Sequence, residues 1–132
     1  MGFDNLERKF RKIFTQIVYK DVSVNSTVEG SKLKIIIKWD GTFDIYNREL
    51  WQKFVEIIRN LRKKYKVFDV IVVEEHRNLS CENFSIKERW DWKELNKIDF
   101  FNPMILIEIE GDIGSIVRDL EAELDKVLLS FI

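Results

Sequence analysis

The sequence is short of cysteine and histidine, and it has no glycine-rich loop. These shortages exclude several classes of protein. Its 132 residues include one cysteine, Cys81, and one histidine, His76. A single cysteine excludes an internal disulfide and any cysteine-based zinc site, which agrees with a reducing compartment. The five glycines are scattered, and none has the spacing of a phosphate-binding loop. We therefore predict no metal, no cofactor and no nucleotide chemistry.

Long apolar runs are also absent. No stretch approaches the roughly 20 apolar residues that cross a bilayer. The first residues, MGFDNLERKFRKIF, lack the unbroken apolar region of a signal peptide. With 45% hydrophobic residues, the chain has enough apolar material for its own core. We expect a single cytoplasmic domain over residues 1–132 that has no membrane contact.

Alternating apolar residues predict β-strands in the first half. Residues 32–39, KLKIIIKW, alternate between a lysine-rich face and an apolar face, which is the period of a strand. The Asp-Gly pair at 40–41 suits a type I′ turn, and residues 43–45 resume the alternation. An earlier strand is predicted over 22–28. The three strands would form a meander.

Apolar residues spaced three and four apart predict three helices, at about 3–17, 50–65 and 113–131. The predicted N-terminal caps are Asn47, Asp112 and, in a capping box with Glu7, Asp4. Residues 67–73, VFDVIVV, are apolar at both odd and even positions, which predicts a strand covered on both faces or placed centrally; we expect it at the middle of the sheet.

These elements predict an α+β fold. A further strand follows Pro103, and residues 84–92 have a parity that would suit one more. The sheet is expected to be antiparallel, with about five or six strands and three helices mainly on one face. The predicted order is α-β-β-β-α-β-(β)-β-α.

This order resembles the small, acidic, dimeric secretion-chaperone fold. From the Leu33 strand onward, and especially in ILIEIEGDIGSIVRDLEAELDKVL, the chain is also similar to the small dimerising subunit of the KEOPS tRNA-modification complex. The basic first half departs from the former, and an insertion at 77–102 and extra N-terminal elements depart from the latter. Neither likeness transfers a functional residue.

Charge is divided unevenly between the two halves. The net charge is −1, but residues 1–66 sum to +7 and residues 67–132 to −8. Intramolecular neutralisation between neighbouring elements is one expectation, and two faces of opposite sign are the other. Abundant Ile, Lys and Glu suggests a thermophilic source or an AT-rich genome.

Candidates for catalysis are few. His76 lies two residues after Glu74, and a carboxylate beside an imidazole could tune a general base. No Ser or Cys nucleophile is tied to it by spacing, so a solvent-facing strand end is the alternative. A metal site would need Glu82 or Asp99 in addition, with no recognised spacing. We therefore predict no catalytic residue.

Two groups of residues are candidates for binding. A phosphate-binding surface would use basic residues of the first half: Lys32, Lys34, Lys38, Arg59, Arg62, Lys63 and Lys64. A partner site would use aromatic residues in the irregular acidic segment: Trp90, Trp92, Phe100 and Phe101. The alternatives are a solvated polar face for the first group and a cover for one end of the core for the second.

The function predicted from the sequence is that of a non-enzymatic interaction or accessory protein. It would be a small adaptor or chaperone-like subunit that acts through protein–protein contacts, with a homodimer as the expected assembly. The alternative is an accessory module that contacts RNA or DNA through the basic first half.

Overall fold

A computed structural model describes residues 3–41, 45–72, 85–87 and 103–130. The elements are α1 Asp4–Val18, β1 Ser23–Glu29, β2 Lys32–Lys38, α2 Arg48–Arg62, β3 Lys66–Val72, β4 Ser85–Lys87, β5 Met104–Glu110 and α3 Ile113–Leu129. The α+β class and the three helices are therefore confirmed.

The sheet has the order β1-β2-β5-β3-β4. The first four strands in this order are antiparallel, and the short β4 pairs in parallel with β3. Its middle strand is β5, so the prediction that the 67–73 segment lies at the centre is wrong by one place. Sequence order misleads here because β5 enters between β2 and β3.

The predicted third strand of the meander is not found in the described residues. β2 ends at Lys38, and Ile45 lies outside any strand. The amides of Tyr46 and Asn47 both donate to the carbonyl of Ile17, at 2.9 and 3.2 Å. These hydrogen bonds hold the chain against the end of α1, immediately before α2 begins. Residues 42–44 lie outside the described part.

All three helices pack on one face of the sheet. On β2 and β5 this face carries six side chains that are 0% exposed: Leu33, Ile35, Ile37, Ile105, Ile107 and Ile109. The helices cover them with apolar stripes, and at their centre the rings of Phe14 and Phe54 meet edge to face at 4.7 Å. One hydrophobic core therefore joins the helices to the sheet.

The N-terminal caps of two helices are those predicted from the sequence, and the cap of the third is not. The side chains of Asn47 and Asp112 accept from the amides of Leu50 and Ser115, both at 3.0 Å, as predicted for N-caps. In α1 the cap position is Phe3, which makes no side-chain cap, so the predicted capping box is wrong. Its glutamate, Glu7, binds β1 instead.

Candidate partner-binding surface

The face of the sheet that points away from the helices, here called the outer face, has two unlike ends. At one end Met104 and Leu106 are 0% and 7% exposed, although neither belongs to the helix-side core. At the other end the strands carry charged residues. We call this the charged end and define it by Glu29, Lys32, Lys34, Lys66, Phe68, Glu108 and Glu110.

Strand register places the charges of this end in a row of alternating sign. Glu29 pairs with Lys32, Lys32 with Glu110, and Glu110 with Lys66, each on a neighbouring strand. Neighbouring strands are about 4.8 Å apart, so each charge has a charge of opposite sign beside it. The row therefore crosses four strands with no like charges adjacent.

An aromatic side chain stands in the next row. Lys34 pairs with Glu108, and Glu108 pairs with Phe68, whose side chain is 52% exposed. Phe68 lines a shallow cleft of about 280 Å³ together with Lys32, Lys66, Glu108 and Glu110. The surface thus combines one exposed ring with charges of both signs.

Phe68 was missed by sequence reasoning. The run VFDVIVV is apolar on both parities, which predicted a strand covered on both sides, and at Phe68 that prediction is wrong. A usable signal was present, because Phe68 shares its parity with Lys66. Lysine marks the solvent-facing side of a strand, as it does in β2.

The predicted lysine face exists, but it is not a uniformly basic surface. Lys32, Lys34 and Lys38 lie on the outer face of β2, as their alternation predicted. Lys32 and Lys34 stand beside Glu110 and Glu108 of β5. The basic first half and the acidic second half therefore meet in the sheet.

The same pairing of halves occurs between helices. The ammonium group of Lys9 lies 3.0 Å from Asp125 and 3.5 Å from Glu121 of α3. The hydrogen bond with Asp125 raises the pKa of Lys9 above its ordinary value. Neutralisation between neighbouring elements, rather than separation of charge, thus describes these contacts.

The other four residues of the predicted phosphate-binding surface, Arg59, Arg62, Lys63 and Lys64, lie at the end of α2, on the helical side of the sheet. Arg59 contacts Glu56 at 2.9 Å, and Lys64 lies 3.7 Å from Asp119. Arg62 and Lys63 are exposed at the end of α2, and desolvation lowers the pKa of Arg62. Because α2 packs on the face opposite Lys32, Lys34 and Lys38, the lysines of β2 and the basic residues of α2 lie on opposite sides of the sheet.

A hydrogen bond fixes the turn that leads into β3. The hydroxyl of Tyr65 donates to Asp119 Oδ2 at 2.6 Å. This bond raises the pKa of Tyr65 and lowers the pKa of Asp119. The ring of Tyr65 also lies over Gly111, where an added Cβ would be 3.0 Å from it. The contact ties α3 to the segment that carries Lys66 and Phe68.

The remaining predicted site residues lie outside the described residues. These are the aromatic residues Trp90, Trp92, Phe100 and Phe101, together with His76, Cys81 and the carboxylates considered with them. Within the described ranges, no group of three or more His, Cys, Asp or Glu residues could hold a metal ion. In that same part of the chain, no helix is long and apolar enough to span a membrane.

Comparison with known proteins gives no relative for this chain. No family model, no curated protein and no solved structure matches it significantly.

Proposed function

We propose that this protein is a non-enzymatic accessory protein that acts through protein–protein contacts, and that the charged end of the outer face is its contact surface. The occupant we propose is a segment of a partner protein. It would present acidic and basic side chains alternately to the charged row, and an apolar side chain to Phe68.

The observation that carries this proposal is the exposed ring of Phe68 within a field of alternating charge. Aromatic residues are enriched in protein interfaces, where they supply much of the binding energy. Paired charges around such an anchor contribute more to specificity than to affinity, and they fix the register of the partner. Phe68 is such an aromatic residue, since its side chain is 52% exposed, and it has paired charges around it, beginning with Glu108 on the neighbouring strand.

A second copy of the chain fits this surface less well than a different partner. A two-fold axis parallel to the strands would place Lys32 over Glu110 of the second copy and Glu29 over Lys66. The same rotation would bring together the two ends at which Met104 and Leu106 are already buried. A single segment of a partner can occupy the charged end alone, whereas a second copy would also have to pack its covered end against the same covered end. A homodimer through another surface stays a prediction.

The nucleic-acid alternative is less consistent with this face. Affinity for nucleic acid depends on neutralising several phosphates with Lys and Arg. At the charged end, three lysines are interleaved with three glutamates: Lys32, Lys34 and Lys66 with Glu29, Glu108 and Glu110. A phosphate chain over these strands would meet carboxylates as often as ammonium groups. This balance favours a protein surface as the ligand.

The test is affinity capture with matched variants, followed by titration of the captured protein against the purified chain. Phe68→Ala removes the ring, and Glu110→Lys places three positive charges side by side in the charged row. Leu129→Ala is the control, because Leu129 is also an exposed apolar residue, at 68%, but lies at the end of α3.

We expect a protein that wild type and Leu129→Ala bind equally. Its dissociation constant should rise at least tenfold for Phe68→Ala and also rise for Glu110→Lys. Capture that is unchanged by Phe68→Ala would overturn the proposed surface. Capture that nuclease abolishes would instead favour the nucleic-acid alternative.

A further inference from the structure

Among the described strands, β1 lies at one edge of the sheet, and its residues do little to protect that edge. Exposed edges offer unpaired backbone groups to other chains, and proteins usually blunt them with Lys, Pro or a bulge. The β1 sequence, SVNSTVE, has no Lys and no Pro, and all seven residues pair regularly with β2. Its one charge, Glu29, is at the end of the strand. Something else must protect it.

Three backbone amides of β1 point away from β2. Glu29 and Lys32 flank the two-residue turn and form the closing pair of the hairpin. In an antiparallel pair, residues face the neighbouring strand and the outside alternately. The outward set is therefore Val24, Ser26 and Val28, with Ser26 in the middle.

A side chain of α1 occupies the middle position. The Ser26 amide donates to Glu7 Oε2 at 2.8 Å, and the Ser26 hydroxyl donates to the same oxygen at 2.6 Å. The amide of Phe3 donates to Ser26 Oγ at 2.8 Å, so the start of α1 is fixed to the strand. Ser26 is only 5% exposed. We call this set of contacts the Glu7 latch.

We propose that the outer edge of β1 is a strand-pairing surface for the β1 edge of a second copy of this chain, and that the Glu7 latch holds it closed. The proposal is independent of the contact at Phe68, because it concerns the opposite edge of the antiparallel strands.

The β1 sequence is self-complementary in the antiparallel direction. With Ser26 on the two-fold axis, Val24 lies opposite Val28 of the second copy on the helix side, and Asn25 lies opposite Thr27 on the outer side. Each Glu29 meets Ser23, so no like charges are opposed. The hydrogen bonds of this ladder come from the outward groups of Val24, Ser26 and Val28, because these residues face away from β2.

Glu7 closes the ladder at its centre. The two bonds on the symmetry axis join Ser26 to Ser26 of the second copy, and each needs an amide that Glu7 already binds. Pairing with the latch closed would also bring two Glu7 carboxylates together. Opening it in both copies frees the central amides and extends the sheet across the axis.

The experiment compares sedimentation equilibrium of wild type with Glu7→Ala, which removes the acceptor. We expect the dimer dissociation constant of Glu7→Ala to fall at least tenfold below that of wild type. Adding Val28→Pro should reverse this change, because proline removes an outward donor while leaving the bonds to β2 intact.

Three further variants make the result specific. Glu7→Gln keeps an acceptor oxygen and should behave as wild type. Lys9→Ala loosens α1 from α3 without touching the latch, so its self-association should not change. Glu7→Asp keeps the negative charge in the first turn of α1 but is one methylene too short, and it decides the question if Glu7→Ala does not fold.

Any of three results overturns the proposal. One is a folded Glu7→Ala or Glu7→Asp that associates no more strongly than wild type. Another is association that survives Val28→Pro, which would place the contact elsewhere. Loss of folding in both Glu7 variants would also overturn it, since the latch would then hold the fold rather than close an edge. None of these results bears on the effect of Phe68→Ala.

Discussion

The two faces of the sheet are formed by the same strands, but they present different kinds of side chain. The helix-side residues of β2 and β5 are fully buried isoleucines and leucine, whereas the outer residues at one end are paired charges around an exposed ring. One face is committed to the core, whereas the charged end of the other face is open to solvent. Substitutions on the helix-side face should therefore change stability, and substitutions at the charged end should change the proposed binding.

The largest expected difference between the faces is in the cost of removing a phenylalanine. Phe14 is 0% exposed and contacts the rings of Trp39, Trp51 and Phe54. Phe14→Ala should lower the free energy of unfolding by about 3–5 kcal/mol, since it leaves a cavity that the core cannot fill. Phe68→Ala should change it by no more than about 0.5 kcal/mol.

Urea unfolding followed by tryptophan fluorescence measures both values, and far-UV circular dichroism checks that Phe68→Ala keeps its secondary structure. A loss of several kcal/mol in Phe68→Ala would break the comparison, because it would make the outer face part of the core.

A smaller effect is expected at the Tyr65–Asp119 hydrogen bond, which joins the helical layer to the start of β3. In the folded state the pKa of Asp119 is lowered, so its stabilisation is present above the unfolded value near 3.9 and is lost as pH falls through the folded value. The pKa of Tyr65 is raised, so its stabilisation is present below the unfolded value near 10 and is lost as pH rises through the folded value.

Tyr65→Phe should therefore lower the urea midpoint most between about pH 5 and 9, and the difference from wild type should shrink towards pH 2 and above about pH 11. The partner-binding affinity at Phe68 should change little. A midpoint difference that stayed constant from pH 2 to pH 9 would show that the hydroxyl acts through packing and not through the carboxylate.

Periodicity predicted the helix-side face well, because burial imposes a regular pattern on each element. The alternation over 32–39 placed Leu33, Ile35 and Ile37 in the core and three lysines on the other face, as observed. The caps at Asn47 and Asp112 were also predictable, since each contact joins residues three apart in the chain.

Features that depend on distant partners were not predictable in the same way. Asp4 and Glu7 have capping-box spacing, but Glu7 finds two donors on Ser26, nineteen residues along the chain. The central place of β5 depends on how the last strand inserts between β2 and β3. A local pattern has no information about either choice.

The candidate surface was half predicted for a related reason. The lysines of β2 could be placed on one face from their spacing, but Glu108 and Glu110 beside them come from β5, more than seventy residues later. Only the strand register turns a basic stripe into a row of alternating sign. The aromatic residues Trp90, Trp92, Phe100 and Phe101 stay a prediction for a second contact.

The most direct test of the central claim is photo-crosslinking from the outer face. A photo-reactive phenylalanine analogue at position 68 should yield a covalent adduct with a single partner protein, and excess unlabelled wild-type chain should compete it away. The same analogue at position 129, on α3, should yield none. No adduct from position 68, or equal adducts from both positions, would contradict the account.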